Sequence, residues 1–84
     1  MAYKIYFKKS VSKDLKKIDI SSADRILKKI QSILPDRAED FPELKGNFSG
    51  LRKFRVGNYR VIFSIIDDSV IILHIQHRKD VYRK

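Results

Sequence analysis

The first third of the chain combines a short strand-like segment with a helical repeat. The segment from Tyr3 to Phe7 consists of aromatic residues together with one Lys and one Ile, which predicts a short strand. From about Ser10 to Lys17, apolar residues recur every three to four positions, which predicts an amphipathic helix whose lysines face water. The apolar stripe of this helix comprises Val11, Leu15 and Ile18.

A second helix is predicted from Ser21 to about Leu34, after a turn at Asp19-Ile20. Ser21 suits the N-cap position, and Asp24 three residues later completes a capping-box arrangement. Pro35 is expected to end the helix because proline lacks the backbone N–H that helical hydrogen bonding requires. The predicted buried stripe comprises Ile26, Leu27, Ile30, Ile33 and Leu34. Residues 35–50 then form an irregular, mildly acidic loop.

A β-hairpin is predicted over residues 51–64. Gly57-Asn58 is a favoured two-residue turn, because Gly adopts positive φ at no steric cost. A turn of this length fixes the register, so that the expected cross-strand pairs are Val56–Tyr59, Arg55–Arg60, Phe54–Val61 and Lys53–Ile62.

The two faces of this hairpin differ in character. The apolar face is a core face and comprises Phe54, Val56, Tyr59, Val61 and Phe63. The other face carries Lys53, Arg55 and Arg60, and opposed like charges destabilise a sheet. We therefore expect an anionic ligand on this face. The alternative is a solvated face of long side chains whose charged ends reach water.

The remaining pattern completes a sheet. Asp67-Asp68 is a second turn, and Ser69–His77 is the last strand, which is interior because residues 70–73 are apolar on both faces. His74 is then expected opposite Val61, on the core side. The predicted fold is α+β with two layers in the order β-α-α-β-β-β, in which an N-terminal helical hairpin packs on a mostly antiparallel four-stranded sheet. A short basic tail follows. The expected core includes Ile26, Ile30, Ile33, Phe54, Val61, Phe63 and Ile72.

Composition narrows the classes of partner. The 84 residues make one domain, residues 1–84, with a net charge of +9. That charge favours nucleic acid, an anionic membrane surface or an acidic protein, and the membrane is least favoured because the apolar stripes are needed for the core. There is no cysteine, and the two histidines are separated, so neither a metal site nor a cofactor is expected. Apolar runs too short to span a bilayer and the lack of a signal-peptide pattern predict a cytoplasmic protein.

Three segments together carry a family resemblance. Leu51–Val56 (LRKFRV), Asn58–Phe63 (NYRVIF) and His77–Tyr82 (HRKDVY) resemble the RelE/ParE toxin superfamily of toxin–antitoxin systems, and the order of the predicted elements matches it as well. RelE-like members of that superfamily are endoribonucleases that cut messenger RNA in the ribosomal A site. ParE-like members act on DNA gyrase and lack the catalytic residues.

The resemblance favours the RelE side and implies site residues. Lys53 and Arg55 match the basic pair of the second strand, although the family often has lysine at the position of Arg55. Arg60 matches the arginine of the third strand, Arg78 an arginine after the last strand, and Tyr82 the C-terminal tyrosine. Further RNA contacts are expected from Arg52, Lys79 and Arg83.

Two candidates for acid–base chemistry remain open. A related subset of the family uses a loop glutamate and a terminal histidine. Glu43 lies where that glutamate would be, but the terminal histidine is missing, because the chain ends Tyr82-Arg83-Lys84. Glu43 is otherwise an exposed loop acid. His77 is a second candidate base, and its alternative role is hydrogen bonding at the end of a strand.

RNA cleavage requires residues of these kinds. When the 2′-hydroxyl attacks the adjacent phosphate, an enzyme must remove one proton, stabilise the phosphorane and protonate the leaving oxygen. Arg60 and Arg78 suit the charge role, since Arg stays protonated and grips phosphate bidentately. Lys53 would serve as a base only if repulsion by the neighbouring cations favours its neutral form. Tyr82 would stack on a base or help to move a proton, unless it only packs the tail on the sheet.

The sequence therefore predicts a toxin that is a ribosome-dependent mRNA endonuclease needing no cofactor. Its expected partners are the ribosome, mRNA and a small, acidic, largely helical antitoxin that folds as it binds. Two alternatives are a ParE-like gyrase inhibitor, which acts by protein binding, and a non-catalytic RNA-binding module.

Overall fold

A computed structural model of the protein describes residues 2–44 and 50–77. It confirms the predicted α+β order of one strand, two helices and three strands. The elements are β1 (Lys4–Phe7), α1 (Lys9–Lys16), α2 (Ile20–Arg37), a short 3₁₀ helix (Ala38–Asp40), β2 (Arg52–Val56), β3 (Tyr59–Ile66) and β4 (Ser69–His77).

The four strands form one mixed sheet in the order β1-β4-β3-β2. β1 runs parallel to β4. The pairs β2–β3 and β3–β4 are antiparallel, in agreement with the predicted mostly antiparallel sheet. β4 is an interior strand, which explains why its apolar residues occupy both faces.

Helix α2 covers one face of the sheet and forms the core with it. Ile26, Ile30 and Leu34 are buried together with Phe63 and Ile72, and Ile33 is half-buried against them. Burial follows the predicted stripe because residues three and four apart share one face of a helix. No helix within the described ranges is long and apolar enough to cross a membrane.

Helix α1 lies along the edge of β4, beyond the point where β1 ends. The last β1–β4 pair is Phe7 with Ile72. After it, the Ser10 hydroxyl donates to the Leu73 carbonyl at 3.1 Å, and the Ile75 N–H donates to Asp14 Oδ2 at 3.1 Å. Side chains of α1 thus satisfy the edge of β4 that no strand pairs.

The predicted N-terminus of α2 was wrong by two residues. The N-cap is Asp19, whose carboxylate accepts the Ser22 N–H at 3.1 Å, while Ser21 lies inside the helix and donates its hydroxyl to Asp19. These hydrogen bonds lower the pKa of Asp19 to about 2, because they stabilise the carboxylate, and the bond from the Ser21 hydroxyl contributes most. A charged carboxylate also interacts favourably with the positive end of the helix dipole.

The predicted end of α2 was also wrong, since the helix continues through Pro35 to Arg37. Leu34 and Ala38 on either side are both fully buried in the core, and the Ala38 N–H donates to the Leu34 carbonyl. Packing therefore holds this last turn in helical geometry despite the proline. The Pro35 carbonyl accepts the Tyr3 N–H at 2.7 Å, which ties the helix end to β1. Part of the predicted loop is consequently helix.

The hairpin register is as predicted in all four pairs, from Val56–Tyr59 to Lys53–Ile62. Gly57 has a φ of 58°, in agreement with the expected role of glycine in the turn.

The register between β3 and β4 changes partway along the strands. Phe63 pairs with Ile72 as the Asp67-Asp68 turn predicts, but Ile62 pairs with His74, so Leu73 is an extra residue in β4. This β-bulge reverses the alternation of every later side chain in the strand. The predicted position of His74 on the core side was therefore wrong, and His74 lies on the face opposite the helices.

Candidate functional site

Lys53, Arg55 and Arg60 share the sheet face opposite the helices, which we call the open face. The observed register places Arg55 directly opposite Arg60, and Lys53 opposite Ile62. Arg55 is exposed, whereas Lys53 and Arg60 are half-buried. The predicted layout of these three cations is confirmed.

Ile62 is an apolar residue of the open face that is nevertheless only 4% exposed. In the register it lies between Lys53 on β2 and His74 on β4. Long charged side chains shield apolar surface with their aliphatic stems while their charged ends reach solvent. Lys53 and Arg60, which neighbour Ile62 on this face, are half-buried, so their side chains are more restricted than those of fully exposed lysines and arginines.

Arg60 is the most constrained of the three cations. Its Nη2 donates to Gln76 Oε1 at 3.4 Å, which is a long hydrogen bond. Its Nε is buried and has no hydrogen-bond partner among the residues that the structure describes. A buried N–H without a partner costs free energy, so the guanidinium is prepared to gain from an acceptor such as a phosphate oxygen.

His74 and Gln76 are open-face residues that the sequence analysis did not place there. Gln76 pairs with Arg60, and His74 pairs with Ile62, beside the three cations. His74 Nδ1 also lies 3.8 Å from Asp14 Oδ2 of α1. No pattern in the sequence announces a bulge at Leu73, and a uniform register would have turned both side chains to the core.

Arg52, predicted to bind RNA, lies on the helix side and has structural partners. Its Nη1 donates to the Phe41 carbonyl at 2.6 Å, and Nη2 lies 3.6 Å from Glu43 Oε2. This position argues against the predicted RNA contact, because the side chain is only 23% exposed and already paired. Its role is to fasten the segment that precedes β2.

Glu43 and His77, the two acid–base candidates, also fall away from the open face. Glu43 forms an isolated bridge with Arg52, so both side chains point to the helix side of the sheet. His77 pairs with Tyr59, and their rings meet edge to face with centroids 5.0 Å apart. Tyr59 alternates with the buried Val61, which puts His77 on the helix side as well. Neither residue joins Lys53, Arg55 and Arg60.

Four predicted site residues lie outside the described residues: Arg78, Lys79, Tyr82 and Arg83. Their roles stay predictions. Arg78 directly follows His77, the last residue of β4.

The described part of the open face can bind and stabilise negative charge. The cross-strand pairs of β2, β3 and β4 that lie on this face include Lys53, Arg55 and Arg60 but no carboxylate. Arginine offers planar N–H groups that match two oxygens of one phosphate. In the described ranges, no three His, Cys, Asp or Glu side chains are placed so that they could hold a metal ion.

Known proteins share this architecture. Residues 5–82 match the family described as the ParE toxin of the type II toxin-antitoxin system parDE. Toxin RelE3 of Methanocaldococcus jannaschii is 32% identical over 84 aligned residues, which cover 94% of each chain.

Two solved structures extend the likeness. A chain of the RelB-RelE antitoxin-toxin complex from Methanococcus jannaschii is 30% identical, with a TM-score of 0.71 over 92% of this chain and 94% of that one. A chain of the toxin-antitoxin complex RelBE2 from Mycobacterium tuberculosis has a TM-score of 0.86 over 93% of this chain and 100% of that one; at 23% identity it supports the fold alone. A family match along nearly the whole chain, and the two helices on a four-stranded sheet, show that this protein belongs to the RelE/ParE superfamily of type II toxin–antitoxin toxins.

Proposed function

We propose that this toxin is a ribosome-dependent endoribonuclease that cuts mRNA in the A site and so inhibits translation. The observation that carries the proposal is Arg60, a half-buried guanidinium whose Nε lacks a partner among the described residues. It lies opposite Arg55 and diagonally from Lys53, on the sheet face opposite the described helix α2. A purely structural arginine would have its N–H groups satisfied within the fold.

In the proposed reaction the mRNA 2′-hydroxyl attacks the neighbouring phosphate. Arg60 stabilises the charge that develops on the phosphorane, because its guanidinium is held in position before the substrate arrives. Lys53 and Arg55 hold flanking phosphates. We assign Arg78 to the same charge role and Tyr82 to stacking on a base, as the family resemblance implies.

A cognate antitoxin is the proposed protein partner. The toxin carries a net charge of +9, so an acidic chain would bind it with long-range electrostatic attraction. The similar chain from Methanococcus jannaschii is found in a complex with its antitoxin. We propose that the antitoxin here is small, acidic and largely helical, and that it folds as it binds.

A ParE-like action on DNA gyrase is the second candidate function. The family match favours it, since the matching family is the ParE toxin of parDE. The described part of the open face carries Lys53, Arg55 and Arg60, whose side chains can contact phosphate oxygens, and this supports RNA cleavage as the first candidate. A gyrase supercoiling assay alongside a translation assay distinguishes the two functions.

Replacement of Arg60 by Ala tests the proposal. If Arg60 stabilises the transition state, the variant should cleave ribosome-bound mRNA about 10²–10³-fold more slowly in single-turnover measurements. Ribosome binding should weaken far less, because one phosphate contact supplies only part of the affinity. Lys16→Ala is the matched control, as Lys16 is an exposed lysine of α1 that should affect neither quantity by much.

Two results would contradict the proposal. Equal losses of binding and cleavage in Arg60→Ala, at one salt concentration, would mean that the open face only holds RNA. Inhibition of supercoiling by a wild-type protein that leaves mRNA intact would establish the gyrase function instead.

A further inference from the structure

His74 reaches the open face through a bulge in β4 that α1 contacts. The Ser10 hydroxyl donates to the carbonyl of Leu73, the inserted residue, at 3.1 Å. The strand then continues with reversed alternation, which places His74 opposite Ile62 and in the same row as Lys53. Bulges commonly redirect a side chain in this way next to active sites.

Asp14 lies one helical turn after Ser10 and contacts the same stretch of β4. Its Oδ2 accepts the Ile75 N–H at 3.1 Å, which fixes the carboxylate against the strand. The same oxygen is 3.8 Å from His74 Nδ1 and forms an ion pair with the ring when the ring is protonated. The His74 side chain remains 47% exposed, so Nε2 is the ring nitrogen left for a substrate.

Proton transfer is the part of the proposed reaction to which the three cations are least suited. Guanidinium groups keep their protons at neutral pH, and an ammonium releases its proton reluctantly. Histidine is the side chain that ordinarily gains and loses a proton between about pH 5 and 8. The other histidine, His77, lies on the helix side of the sheet. His74 is therefore the histidine of the described open face.

We propose that His74 is the general acid of the cleavage reaction and that Asp14 is its positioning residue. This inference rests on the proposed endoribonuclease function. The bond from the 2′-oxygen to phosphorus forms while the bond from phosphorus to the 5′-oxygen breaks. The 2′-hydroxyl proton leaves to solvent, and the imidazolium proton passes from Nε2 to the departing 5′-oxygen. The products are a 2′,3′-cyclic phosphate and a 5′-hydroxyl.

Within residues 2–44 and 50–77, the charges around His74 come from three elements. Asp14 of α1 faces Nδ1, Lys53 of β2 lies across Ile62, and Arg60 of β3 lies diagonally in the next row. A general acid must be protonated to act, so cleavage should slow as the pH rises through the range in which imidazoles titrate. The cations face the phosphate and bind it, whereas the carboxylate faces the ring.

Cleavage of two RNA substrates by the full-length toxin on the ribosome tests this role. One substrate is ordinary mRNA, and the other carries sulfur in place of the bridging 5′-oxygen, so that its thiolate leaves without a proton. His74→Gln should slow cleavage of ordinary mRNA by about 10²-fold or more, and the sulfur substrate should restore most of the lost rate. The alkaline decline of the wild-type rate should disappear in the variant. Arg60→Ala should remain slow on both substrates.

His77→Gln is the matched control, since it removes the chain's other histidine, and it should cleave both substrates at close to the wild-type rate. Asp14→Asn keeps an oxygen for the Ile75 N–H but removes the charge beside the ring. It should lower the rate on ordinary mRNA, with recovery on the sulfur substrate. Melting temperatures of the four variants establish that each is folded.

Three outcomes would overturn the inference. Equal slowing of both substrates by His74→Gln would show that the ring donates no proton. If the wild-type protein cleaves mRNA and His74→Gln cleaves it at the same rate, the proposed function stands but His74 has no part in it. A wild-type protein without any cleavage activity would overturn the proposed function together with the inference.

Discussion

Repulsion between Arg55 and Arg60 should destabilise the folded protein, and removal of one of the two charges should raise the free energy of unfolding. Arg55→Gln keeps most of the side-chain length and removes one of two directly opposed charges. Opposed residues have Cβ atoms about 5 Å apart, and two unit charges about 6 Å apart in water repel by roughly 0.7 kcal/mol. Arg55 is exposed, so the dielectric constant of water is the appropriate one.

Comparing low and high salt distinguishes this repulsion from the effects of the substitution that do not involve charge, because only the repulsion is screened by salt. The screening length is about 30 Å at 0.01 M salt and about 3 Å at 1 M, so the repulsion is nearly complete in the first condition and nearly absent in the second. Arg55→Gln should therefore raise the free energy of unfolding by about 0.5–1 kcal/mol at low salt and by close to zero at high salt.

Urea unfolding at the two salt concentrations measures the effect. Lys29→Gln is the control, because it removes one charge from an exposed position of α2 and reports the general repulsion within a protein of net charge +9. A low-salt gain in Arg55→Gln no larger than that in Lys29→Gln would refute the local repulsion. Such a result would also weaken the argument that the open face is built for an anion.

Two further outcomes test the core and the helix start. Phe63→Ala should lower the free energy of unfolding by about 3–5 kcal/mol in denaturant titrations, because the ring is fully buried. Ile66→Ala, at a residue 57% exposed in the same strand, should cost far less, and similar losses would show that Phe63 is not packed as described. Asp19→Ala should lower the melting temperature at pH 7 by removing the N-cap of α2. Since folding lowers the pKa of Asp19 to about 2, its contribution is complete above about pH 4 and lost as the pH falls towards 2; equal losses at pH 7 and pH 2 would contradict this.

Local chemistry was sufficient for much of the fold. The Gly57-Asn58 turn and the alternation beside it fixed the register of β2 and β3, and hence the shared face of Lys53, Arg55 and Arg60. The apolar run in β4 indicated an interior strand, which it is. These features could be predicted because turn geometry and side-chain alternation depend only on residues that are close in sequence.

The sheet face on which each acid–base candidate lies was decided by contacts between residues distant in sequence. Glu43 lies on the helix side because it pairs with Arg52, and His77 because it pairs with Tyr59. To assign either residue to a face of the sheet, one must know which residue it pairs with on the neighbouring strand.

The sequence by itself thus determined the order of the elements, the hairpin register and the cationic face. The tertiary structure decided that α2 passes through Pro35, where the buried Leu34 and Ala38 hold the last turn. It also decided the bulge at Leu73, whose carbonyl accepts a hydrogen bond from Ser10, a residue 63 positions away in sequence. A bulge changes the sheet face of every later side chain in its strand. The residues of β4 alone do not indicate it, because the hydrogen bond to Leu73 comes from another element of the fold.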